Sequence, residues 1–164
     1  MGVSGGLYRF VLLLHILTVV VAFGSFMASA AYARLARERG GSEGVAINEA
    51  SAAVTKRVSQ GSFWAVPIFG ILLVILSDGA IGFEEPWISL SFLLYIAAAA
   101  LLVAVVIPTQ RRTIQLDRKN LGGTSPGAGG GERARLDKKL AASSGVFNVL
   151  FLAVLALMIF KPGS

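Results

Sequence analysis

The chain has 164 residues, of which 55% are hydrophobic and only 15% charged, with a mean hydropathy of +0.73. Soluble domains carry about 25% charged residues, and a chain this oily would leave far more apolar surface in water than one small core can hide, so lipid is the solvent its composition fits. The absence of cysteine excludes a disulfide framework, a thiolate nucleophile, an iron–sulfur cluster and a zinc–thiolate site, while the net charge of +6 leaves nucleic acid, anionic lipid or membrane topology as partners to weigh.

The first uncharged run extends from Phe10 to Ala33. One cation precedes it, and Ala28-Ser29-Ala30 has the small residues of a cleavage site. The run nevertheless exceeds the ~7–15 residues of a signal-peptide core, so it reads as a true span. His15 is the only histidine and the only side chain within any uncharged run that ionises near neutral pH. An ionisable group at membrane depth is a functional hypothesis by default. A lone imidazole with no second ligand is expected instead to stay neutral and bond to a neighbouring helix. His15, Thr18, Ala22, Ser25 and Ser29 fall on one face at intervals of three and four. Gly24 and Ala28 add a small-xxx-small pair, expected to serve close packing within the chain's own bundle.

A basic extension from Arg34 to Arg39 leads to Gly40-Gly41, a helix stop. Ile47, Val54 and Val58 recur at roughly helical spacing, so the second helix is expected to begin in the aqueous layer with an amphipathic turn or two. Its span is read over residues 58–78, uncharged from Val58 to Ser77 with Asp78 at the far end. Pro86 opens the third span, residues 86–110, at the first-turn position that suits proline, and Pro108 is placed to kink it. Residues 121–131 hold a run of glycines with Pro126, which predicts a flexible linker. The fourth helix is expected to start near Glu132, an acid at its positive end, and to span residues 140–160. Asn148 is its one amide, with a packing hydrogen bond as its expected role. Each span reaches the ~20 residues that cross ~30 Å of hydrocarbon. None alternates as a barrel strand would. The fold class is therefore all-α, a membrane up-down four-helix bundle and a single domain.

The first and third connections hold thirteen lysines and arginines; the acidic second connection and the two tails together hold two. By the positive-inside rule the basic connections and the linker are cytoplasmic, and both termini lie outside, N-out and C-out. Trp64 and Trp87 fit an aromatic belt. The basic stretches lack interleaved aromatics for base stacking, so topology and anionic headgroups explain the charge and no nucleic acid is expected as a partner.

His15, Ser77, Asp78, Ser91 and Tyr95 share a depth in the outer third of the four spans. If they converge they form a small polar cluster, and an Asp78 beside His15 would make it a proton or cation site. Depth alone does not bring them together. No catalytic constellation and no metal site is legible: a second histidine, a carboxylate within the uncharged runs and a broken pair of short spans are all missing.

Leu14-His15-Ile16 in the first span, the run from Gly61 to Ser77, Pro86-Trp87, and the closing Ile107-Pro108-Thr109-Gln110-Arg111-Arg112 together resemble a family of small bacterial four-helix integral membrane proteins of unknown function. The resemblance implies a bacterial cytoplasmic (inner) membrane protein with a histidine in helix one, matched here by His15. It implies no reaction.

Three readings of function stay open. The first is a non-enzymatic accessory or scaffold bundle that packs with itself, as a homo-oligomer, or with other membrane protein subunits. The second is a redox or haem-binding subunit in which a dimer brings two copies of His15 together as axial ligands; the absorption spectrum of the purified protein decides it. The third is a small oligomeric channel or transporter, tested by liposome flux with Asp78→Asn and His15→Ala.

Overall fold

The computed structural model describes residue 3, residues 5–121 and residues 130–162. The expected linker therefore lies, apart from its ends, outside the described residues. Four long helices make up the fold: α1 (Gly6–Arg39), α2 (Gly41–Leu76), α3 (Pro86–Leu121) and α4 (Gly130–Phe160), each long and apolar enough to cross a bilayer. At ~1.5 Å per residue they reach about 45–55 Å, well beyond the ~30 Å hydrocarbon layer. Among the described residues the chain is all-α, and its helices form a four-helix bundle.

The turn between α1 and α2 is abrupt. Gly40 and Gly41 take φ of 64° and 51°, a left-handed conformation that glycine adopts without a Cβ clash. The Gly40 N–H closes α1 on the Ala36 carbonyl at 3.0 Å. Four residues on, a Cβ at Gly44 would overlap the same carbonyl oxygen, so only glycine lets α2 leave this close to α1. Helix begins at once at Gly41, well ahead of the turn or two expected before Val58. Likewise α4 starts at Gly130, two residues before Glu132.

Two wide, π-helical turns interrupt the long helices, Thr55–Ser59 in α2 and Leu102–Val106 in α3. The second immediately precedes Pro108, whose ring lacks an N–H and crowds the carbonyl one turn back; widening the helix by one residue relieves that conflict.

The helices associate as two hairpins, α1 with α2 and α3 with α4. The hairpins meet through aromatic rings: Phe23 stacks on Phe151 with centroids 4.5 Å apart, Phe26 lies 4.7 Å from Phe147, and Phe63 stacks on Tyr95 at 4.8 Å. Phe63 is 2% exposed and anchors this core beside Ala98, Leu102 and Phe147. At one end the first half of α2 also packs on the last part of α3, whereas α1 and α4 meet through long side chains, the phenylalanine rings and Arg37 with Asp137. Large side chains such as Ile16, Val20, Ile75, Leu93 and Val149 point away from the core, as in a bundle that lipid surrounds.

Candidate functional site

Polar side chains gather at two levels. Near the end that carries the acidic loop, His15 is 7% exposed and faces α2, where a Cβ on Gly70 would stand 3.5 Å from its Cε1. A methyl at Gly70 would make only ordinary van der Waals contact with the ring. The ring meets the Val66 backbone of α2, while its Nδ1 is buried without a hydrogen-bond partner among the described residues. The imidazole is thus turned into the α1–α2 seam.

The four residues at matching depth each have their own arrangement. The Ser77 hydroxyl donates to the Val74 carbonyl at 2.7 Å and lies 2.9 Å from that of Ile81, while the Ile81 N–H donates back to Ser77 Oγ at 3.1 Å, so Ser77 ties off the C-terminus of α2. Asp78 follows in the turn with φ of 57°. Ser91 donates to the Trp87 carbonyl of its own helix at 2.7 Å. Tyr95 crosses to α2 and donates to the Phe63 carbonyl. No hydrogen bond joins His15 to any of them among the described residues. Tyr95 has a definite task. Pro67 lies inside α2 and lacks the N–H that would bond Phe63, four residues back; the tyrosine hydroxyl supplies the missing donor.

On the face chosen along α1, His15 and Ala22 are buried. Thr18, Ser25 and Ser29 are half-buried and donate to carbonyls of their own helix, at 2.9 Å to Leu14, 2.7 Å to Val21 and 2.8 Å to Phe26. Gly24 and Ala28, the small pair beside them, are exposed, and nothing stands within 4 Å of a Cβ built on Gly24.

The opposite, basic end holds what cation counting alone does not reveal. Arg133 on α4 bonds Asp117 on α3 through two nitrogens, at 2.7 and 3.2 Å, and also pairs with Asp137 one turn along its own helix. Asp117 accepts from Asn48 on α2 at 3.4 Å, and Asp137 lies 3.6 Å from Arg37 on α1. One network therefore links all four helices. Its central side chains are only 17–25% exposed, where ion pairs are screened less than at the surface. Two outer pairs, Arg118 with Glu49 and Arg112 with Glu132, flank it. The hydrogen bond from Arg118 holds the Glu49 carboxyl below its usual range, and Glu49 in turn raises the Arg118 pKa; both lie beyond the apolar runs. The Arg133–Asp137 spacing of four is visible in the sequence as a helix-surface pair. The partnership with Asp117 is not.

Next to this network the four helices enclose a cavity of about 350 Å³. Phe26, Leu102, Val106 and Phe147 line its apolar part, and Arg34, Arg37 and Arg133 its charged part. Asn148, expected to make a packing bond, lines it as well. Both wide turns contribute, through Thr55 and through Leu102 and Val106. Such turns occur often at functional sites.

No curated protein and no solved structure matches the chain. A family model described as "Predicted integral membrane protein (DUF2269)" matches residues 9–162, which takes in all four apolar helices and both polar levels. With nearly the whole chain matched, the protein belongs to the DUF2269 family of integral membrane proteins.

Proposed function

We propose that the protein is a non-enzymatic accessory bundle that holds a second copy of itself or another membrane subunit against α1. One observation carries this reading: Gly24 and Ala28, small residues at a spacing of four, face outward with no neighbour of their own chain over Gly24. In lipid, small residues at this spacing let a partner backbone approach closely and gain dispersion contacts that bulky side chains would block. Ala31 continues the exposed small surface one turn on. The excess of cations at one end supports an orientation with that end inside and both termini outside, and the resemblance to small bacterial membrane proteins supports a bacterial cytoplasmic membrane.

The test is the mass of the protein in mild detergent. Wild type is expected to migrate as a complex, and Gly24→Leu combined with Ala28→Leu as a monomer of unchanged helicity. A wild type that is monomeric at every concentration, with nothing co-purifying from the membrane, removes the reading. Cysteine labelling from either side tests the topology: a reporter in the linker reacting from outside the cell overturns it.

A further inference from the structure

The cavity at the basic end combines an apolar interior, a cationic rim and an opening in one direction. Among its lining residues the exposed ones come from α1 and α4 alone: Ala30, Arg34 and Arg37 on α1, Ala141 and Gly145 on α4. These two helices meet at the Phe26 and Phe147 rings on the apolar side and at Arg37 and Asp137 on the basic side, with small residues between. The cavity therefore opens sideways, between α1 and α4, through a gap bordered by alanine and glycine. A gap so placed faces the bilayer rather than water.

Depth and charge agree with that direction. The uncharged run of α1 ends at Ala33, and Arg34 is the first cation after it. The arginines thus stand at headgroup level, while Phe26 lies two turns deeper, among hydrocarbon. Three arginines line the cavity against one aspartate, Asp137. Arg133 is held by Asp117 and Asp137, and Arg37 is 3.6 Å from Asp137. Arg34 makes no ion pair or hydrogen bond among the described residues. Thr113, 4% exposed, lines the same cavity, and its hydroxyl has no partner among the described residues. The volume of about 350 Å³ falls at the small end of ligand cavities. At roughly 30 Å³ per water-sized group it takes about a dozen such groups, the bulk of one alkyl chain and not of two.

We propose that this cavity binds one alkyl chain bearing an acidic headgroup, taken laterally from the bilayer, with the chain along Phe26, Leu102 and Phe147 and the carboxylate or phosphate on Arg34. A guanidinium suits both acids, since its planar donors match two oxygens at once. The rim being cationic, a neutral amphiphile gains only the apolar contacts. An anion without a chain leaves the interior unfilled.

Native mass spectrometry of the full chain from a neutral maltoside detergent tests this, with dodecanoate as the probe. Wild type is expected to retain one dodecanoate per chain. Dodecanol and inorganic phosphate should each bind about tenfold more weakly or less, the difference a charge-assisted contact makes. Arg34→Gln should lower dodecanoate retention by about the same factor, and Arg34→Lys should lower it less. Ala141→Leu, at an exposed position beside the opening, should slow uptake without altering the helical circular dichroism. Phosphatidylglycerol in the same assay separates the two sources: retention of dodecanoate alone assigns a free acid, and retention of the phospholipid assigns a bilayer lipid lending one chain. Unchanged dodecanoate retention in a folded Arg34→Gln variant overturns the proposal, as does uptake that never saturates at one, or phosphate binding as tightly as dodecanoate.

Discussion

Pro67 and Tyr95 show how one residue sets the requirement that another meets. A proline inside a membrane helix strands a carbonyl in a medium with no water to satisfy it, and Tyr95 satisfies the one on Phe63. Tyr95→Phe is expected to lower stability by about 1–2 kcal/mol. In a Pro67→Ala background the restored N–H takes over, and the same change should become nearly neutral. Thermal unfolding of the four proteins in mild detergent checks this; an equal penalty in both backgrounds would show that the hydroxyl acts elsewhere. His15 presents the reverse case, a buried imidazole whose Nδ1 lacks a partner among the described residues. Leaving such an atom unmatched costs about 1–3 kcal/mol, so His15→Leu should hold or raise the melting temperature. A clear fall would show that the ring's contact with the Val66 backbone outweighs the unmatched nitrogen. Both proline and tyrosine stand in plain view in the sequence, but their pairing is not legible there. Tyr95 shares a depth with His15, but depth says nothing about the direction in which a helix presents a side chain.

The helices follow from their apolar runs, and their ends from glycine and proline. Gly40-Gly41 and Pro86 mark where α1 stops and α3 starts, as the sequence indicates. The length of α2 before its span was less legible. Residues 41–54 are short on large apolar side chains, and what keeps them helical is contact with α1 on one side and α3 on the other. Gly44 makes the first of these contacts possible. Gly44→Ala should cost about 1–3 kcal/mol through overlap with the Ala36 carbonyl. Gly24→Ala, where a methyl meets nothing, should be neutral or slightly stabilising within the monomer. If the two substitutions shift the melting temperature alike, the close approach of α1 and α2 is not what fixes the turn.

Across the whole molecule the two hairpins are joined by aromatic rings in the apolar middle and by the Arg133 network at the basic end. Arg133→Ala leaves Asp117 and Asp137 facing each other without their common cation, a change worth about 1.5–3 kcal/mol for hydrogen bonds to charged groups. Amide exchange should then accelerate around Asn48 and Asp117 more than around Phe63. Arg118→Ala, at an exposed pair, should leave stability and exchange unchanged. Equal effects of the two would mean that the network does not clamp the bundle.

The sequence by itself determined that the chain crosses a membrane as four helices, because hydrocarbon demands long uncharged runs and lets each helix satisfy its own backbone. That demand is local, so composition along the chain is enough to read it. Tertiary structure alone decided which helices touch and where they part. That choice arises from the fit of side chains far apart in sequence: a histidine against Gly70, a tyrosine against a stranded carbonyl, an arginine between two aspartates.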